Sequence, residues 1–189
     1  EIGIFDEQFR PLPPGEPGEI ALRHPHVMLG YLKQPEETAR TLVDGWVRSG
    51  DLGVMDEQGR VFFAGRVKNV IKRSGENVSA EEVELAIAEH PAVSECAVFG
   101  VPDPIRAEEV AAVVVVRPGA ALTPEELRRA CAKRLVRWKL PRYVELREEP
   151  LPRLGNGKVD RVRLVEAFDP AMAWDADQAR AKTTTPSSS

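Results

Sequence analysis

Four short runs carry the residue types with which a protein grips a nucleotide. In GWVRSGDLG, Asp51 follows Ser49-Gly50. A carboxylate there can accept hydrogen bonds from both hydroxyls of a ribose, and the glycine lets the backbone turn and a ligand come close. An aspartate that merely caps its own loop would read the same way. In GRVKNVIKRSG, Arg66, Lys68, Lys72 and Arg73 supply cations suited to phosphate. With Val67, Val70 and Ile71 turned inward, the same run also describes a solvated charged face. The SGEN turn that follows contains Gly75, which makes either a hairpin tip or room for a thin ligand. In PRLGNGKVDR, Lys158 stands directly after Asn156-Gly157, a type I′ turn signal that would project the lysine from a loop tip. An ammonium on a flexible stem can neutralise charge developing on a carboxylate and a phosphate, although a solvated turn lysine has the same sequence.

The elements that must position these residues change character near Ala64 to Asn69. Before it the segments are short and alternating, broken by PLPPGEPGE and by a DEQGR hairpin turn, and read as β structure with one helical stretch, PEETARTLVD. After it, VSAEEVELAIAEH predicts a helix capped by Ser79, with Glu81 and Glu82 in its first turn. Ala92 to Val101 and Val110 to Arg117 predict strands. TPEELRRACAKRLV predicts a helix with Thr123 as N-cap and Pro124 at its first position. A strand at Tyr143 to Leu146 and a short helix at Asp160 to Phe168 complete an α+β unit. The final TTTPSSS is polar and is expected to be disordered.

Composition narrows the function classes. The 189 residues carry a formal charge of −4, which argues against a general nucleic-acid binder, as does the lack of aromatics interleaved with the basic run. The longest apolar stretch, Val110 to Val116, is far short of the ~20 residues that span a bilayer. Cys96 and Cys131 lie outside any metal-spaced cluster and His24, His26 and His90 are scattered, so no metal site is proposed. Both cysteines read as reduced packing residues of a cytoplasmic protein.

Taken in order, GEIALRHPHVMLGYL, GWVRSGDLG, GRVKNVIKRSGENVSAEEVE and LPRLGNGKVDR resemble the C-terminal part of the acyl-adenylate-forming superfamily. That group includes acyl-CoA synthetases, luciferases and peptide-synthetase adenylation domains. The resemblance runs from Glu1 to Phe168, and KRSGENVSAEEVE looks most like the crotonobetaine/carnitine type of CoA ligase.

The resemblance implies a carboxylate activated by ATP to acyl-AMP, then passed to the thiol of CoA. Asp51 and Arg66 would hold the nucleotide, and Lys158 would bridge the substrate carboxylate and the α-phosphate. Lys68 would be the hinge about which the small domain rotates between half-reactions. Lys72, Ser74 and Gly75 would line the pantetheine channel. The implied fold is α+β: residues 1–65 end a large β-rich, barrel-like domain, 66–69 are the hinge, 70–168 the mobile domain and 169–189 a disordered tail. Two departures stand out, Ser49 for the usual threonine and Ala107-Glu108 for the usual Gly-Glu, the second restricting the backbone near the CoA path.

The phosphate loop, acyl pocket and Mg ligands of such enzymes are expected in a large N-terminal domain outside these residues, so the chain alone is expected to be inactive. Loading a carrier protein instead of CoA, or acting as a non-catalytic interaction module, remain alternatives.

Overall fold

The computed structural model describes residues 1–184. The chain divides into two compact units at Lys68/Asn69, within a single 3-10 turn, Val67–Asn69.

The first unit is a five-stranded antiparallel sheet. Strands β1 (Ile2–Phe5), β2 (Pro17–Leu22) and β4 (Trp46–Met55) lie side by side, and the far edge of β4 is shared by β3 (Leu42–Val43) and β5 (Val61–Arg66). Helix α1 (Pro35–Thr41) begins with proline where its missing N–H costs nothing. The turn between β4 and β5 is tied by Asp56, whose Oδ1 accepts from the N–H groups of Gln58 and Arg60 at 3.0 and 2.9 Å.

The second unit is built on the long hairpin of β8 (Val93–Asp103) and β9 (Ala107–Val116). Strand β10 (Tyr143–Arg147) runs parallel to β9. The small hairpin of β6 (Val70–Arg73) and β7 (Glu76–Ser79) joins at the start of β9, where Arg73 pairs with Ala107. Both faces of β9 are covered, so its apolar run is unbroken. Val110, Ala112 and Val114 pack with residues of α2 (Ala80–Ala88) and α3 (Pro124–Cys131), while Ala111, Val113 and Val115 pack with Leu151 and with Leu164 of α4 (Arg161–Ala167). Ser79 accepts from Glu82 N–H at the start of α2. Thr123 and Glu126 exchange hydrogen bonds as a capping box on α3, which ends at Cys131, short of its predicted extent.

The expectation of a disordered tail from residue 169 is corrected. Strand β11 (Trp174–Asp175) pairs antiparallel with Tyr143–Val144, and helix α5 (Ala176–Thr184) follows. Trp174 packs against the core and donates its Nε1–H to Glu125 at 2.6 Å, and Asp175 is ion-paired to Arg142 at 3.2 Å. The expectation followed from the resemblance ending at Phe168, and the segment's order was not legible because its anchors are partners in distant elements. Residues 185–189 of the TTTPSSS run lie outside the described residues.

Candidate functional site

Asp51 sits in a β-bulge. Glu19 of β2 pairs with Leu52 and Ala21 with Arg48, so β4 carries extra residues at Ser49-Gly50-Asp51. Gly50 takes φ +72°, a left-handed conformation that favours glycine. The bulge is held from beneath: buried Glu19 accepts from Gly50 N–H at 3.1 Å and from Arg48 Nε at 2.8 Å. Ser49 Oγ accepts from Asp51 N–H at 3.0 Å and donates to the Ile20 carbonyl at 2.7 Å. Serine in place of threonine thus keeps both hydroxyl bonds.

Arg66 is the cross-strand neighbour of Asp51. Its Nε stands 2.8 Å from Asp51 Oδ1, yet that oxygen is shielded from solvent and receives no aligned hydrogen bond among the described residues. An ion pair without an aligned donor leaves acceptor capacity on the carboxylate. Lys68 is exposed within the 3-10 turn at the division between the units.

In the second unit, Ser74 and Gly75 form the two-residue loop between β6 and β7, with φ +53° and +84°. Positive φ at both positions is the type I′ hairpin turn. Ser74 carries the side chain in that strained region, and its N–H donates to the Arg106 carbonyl at 2.9 Å. A Cβ on Gly75 would meet nothing within 4 Å, so within this unit glycine is required by conformation and not by crowding. Lys72 is exposed and its backbone N–H donates to Glu108 at 2.6 Å. A cleft of about 300 Å³ beside this turn is lined by Arg73, Ser74, Arg106, Trp138 and Arg142.

Lys158 is exposed and its ammonium has no ion pair or hydrogen bond among the described residues. Its loop departs from the predicted two-residue turn. Gly157 N–H bonds the Leu154 carbonyl at 2.9 Å and Leu154 N–H bonds the Lys158 carbonyl at 2.8 Å. Only Gly157, with φ +81°, is left-handed, so Gly155-Asn156 form the central pair of the turn and Asn156 instead accepts from Lys158 N–H at 3.1 Å. Arg153 pins the loop, donating to the Gly157 carbonyl at 2.9 Å and to Glu95 at 2.5 Å.

These anchors separate the two candidate loops of the second unit. The Ser74-Gly75 turn joins the sheet where Arg73 meets Ala107. The Lys158 segment is fastened at Glu95, which faces Val115, and by Arg161 to the carbonyl of Val98, which faces Ala112. These points are five to eight residue steps apart along β9, about 17–27 Å of strand.

Sequence reasoning missed the ionic group beneath the Ser74-Gly75 turn, centred on Glu109, which is 0% exposed. Its one sequence signal is a pair of charges, Glu108 and Glu109, opening an otherwise apolar strand.

Residues 82–158 match the family model of the AMP-binding enzyme C-terminal domain. The chain is 44% identical over 167 residues to a long-chain-fatty-acid–CoA ligase of Bacillus subtilis (strain 168), spanning 88% of this chain and 30% of the relative. It is 42% identical over 168 residues to a crotonobetaine/carnitine–CoA ligase of Escherichia coli O7:K1, spanning 87% and 32%. Among solved structures, an amide bond synthetase from Marinactinospora thermotolerans superposes with TM-score 0.80 at 40% identity, over 89% of this chain and 35% of that one. The o-succinylbenzoate CoA synthetase of Bacillus subtilis, solved with its acyl-adenylate intermediate, gives TM-score 0.81 at 31% identity, over 89% and 34%. The chain therefore spans about a third of the length of these relatives.

Proposed function

We propose, from the C-terminal domain of AMP-binding enzymes that residues 82–158 carry, that this chain is the C-terminal portion of an ATP-dependent acid:CoA ligase. The enzyme joins a carboxylic acid to AMP with release of pyrophosphate, then transfers the acyl group to the CoA thiol with release of AMP. Asp51 accepts hydrogen bonds from the ribose hydroxyls, and Arg66 lies beside the ribose or phosphates. Lys158 places its ammonium between the acid's carboxylate and the α-phosphate, offsetting negative charge as the acyl–phosphate bond forms. In the transfer step the Ser74-Gly75 turn and Lys72 border the path of the pantetheine thiol.

The observation that best supports this reading is the separation of the Lys158 loop from the Ser74-Gly75 turn along β9. A separation of this size suits two loops that serve one bound adenylate at different times. Turning the unit about Lys68 lets each half-reaction receive its own residues. By themselves the 189 residues lack a phosphate-cradling loop and form acyl-AMP at no useful rate.

The similarity to an amide bond synthetase favours one second reading, in which the adenylate is the same and an amine is the acceptor. The test is an acceptor panel with the intact protein. Acid-dependent pyrophosphate release followed by thioester formation with CoA supports the ligase. Release of pyrophosphate with acyl transfer only to an amine or to a carrier-protein thiol replaces it. No acid-dependent release overturns both.

A further inference from the structure

The Ser74-Gly75 turn rests on a charge network that is centred on buried Glu109 and reaches, through buried Asp175 and exposed Asp177, the C-terminal segment. Glu109 accepts from Arg73 Nε at 2.5 Å, and from Arg106. Arg142 lies 3.7 Å from Glu109, 3.1 Å from Asp103 and 3.2 Å from Asp175. Asp177 at the start of α5 stands 3.4 Å from Arg106 and 3.5 Å from Arg142. Three guanidiniums thus face four carboxylates, and without Asp175 and Asp177 they would face only Glu109 and Asp103.

The network leads directly to the turn. Asp103 Oδ1 accepts from the N–H groups of Ile105 and Arg106 at 2.9 and 2.8 Å, shaping the tip of the β8–β9 hairpin. The Arg106 carbonyl then holds Ser74 N–H. Ser74 and Ala107 both occupy left-handed backbone, with φ +53° and +65°. Non-glycine residues persist there only where their surroundings over-determine the geometry.

We propose that Asp175 and Asp177 are positioning residues for acyl transfer: by holding Arg142 and Arg106 they fix the hairpin tip that sets the Ser74-Gly75 turn. The assignment of this turn to the transfer step rests on the function proposed above; the mechanical link does not. The C-terminal segment is in this account a brace for a loop about a hundred residues earlier in the chain, acting through arginines and touching no substrate.

The test uses the intact protein with Asp175→Asn/Asp177→Asn, and with Asp177→Asn alone in case the double variant fails to fold. Hydrogen exchange of the segment Lys72–Asn77 is expected to accelerate at least tenfold in the double variant and measurably in the single one, with the β8–β9 centre still protected. Thioester formation from supplied acyl-AMP is expected to fall about tenfold, while acid-dependent pyrophosphate exchange stays within twofold. Asp175→Glu, which keeps the charge, is expected to recover part of the transfer rate. Unchanged exchange at Lys72–Asn77, or equal loss of both half-reactions, overturns the proposal. Accelerated exchange in a protein that makes no acyl-AMP when unmodified would leave the mechanical link standing and sink the function instead.

Discussion

Arg66 lies directly across the β4–β5 ladder from Asp51, with Nε 2.8 Å from Oδ1, and still leaves that buried oxygen without an aligned hydrogen bond. The Asp51 side chain is still 29% exposed, so its carboxylate is open to a hydroxyl donor on the side away from Oδ1, and a hydrogen bond to a charged acceptor is a strong one. Asp51→Asn is therefore expected to weaken AMP or ATP binding to the intact protein by about 1.5–3 kcal/mol, or roughly tenfold to a hundredfold, with little loss of folding stability. Calorimetric titration checks this. Unchanged affinity would remove Asp51 from the nucleotide site.

Ala107 stands at φ +65° where its Cβ is disfavoured. Ala107→Gly should relieve that strain, partly offset by the greater freedom of glycine in the unfolded chain. The expected net gain is up to about 1 kcal/mol, raising the melting temperature by a few degrees. A lower melting temperature in calorimetry would show that the conformation is not strained.

Burial pushes the Cys96 thiol up to about 12 and the Cys131 thiol up to about 11. Thiolate, not thiol, is the nucleophile. At about pH 8 the folded protein should react with a thiol reagent far more slowly than a free cysteine does, and both groups should react at once in denaturant. Rapid labelling of either in the folded state would contradict their packing role.

Asp103 is held below the usual carboxylate range, chiefly by the backbone N–H groups of Arg106 and Ile105, then by Arg142. A carboxyl lowered on folding stabilises the fold above its unfolded value of 3.8 and loses that contribution as pH falls through the folded value. Glu84 is opposite in sign: burial raises it despite Arg161, so its contribution is present below 4.5 and is lost as pH rises through the folded value. Asp103→Asn should lower stability near neutrality and flatten its fall below about pH 4. Glu84→Gln should remove the loss above 4.5. Denaturant titrations across pH check both; an unaltered acid limb in Asp103→Asn would deny that carboxyl its role.

Much of the backbone geometry around the candidate residues was legible because it is local. Gly50 and Gly75 announce backbone that other residues avoid, and Asp51 and Lys158 are charged groups beside such backbone. What was not legible depends on partners. The Gly50 bulge exists only in register with Glu19 and Ala21 of β2. The Asn156-Gly157 pair signals a type I′ turn, but the Arg153–Val159 bridge closes a longer loop in which only Gly157 is left-handed. Asp175 and Asp177 look like solvated charges until Arg142 and Arg106 are brought beside them.

The most direct test of the account is a comparison of the two half-reactions in the intact protein carrying Lys158→Ala or a bulky residue at Gly75. Lys158→Ala should reduce acid-dependent pyrophosphate exchange by at least about a hundredfold and leave thioester formation from supplied acyl-AMP within a few-fold. Gly75→Leu, once shown to be folded, should do the reverse. Equal damage to both steps in both variants would contradict the assignment of the Lys158 loop and the Ser74-Gly75 turn to separate half-reactions.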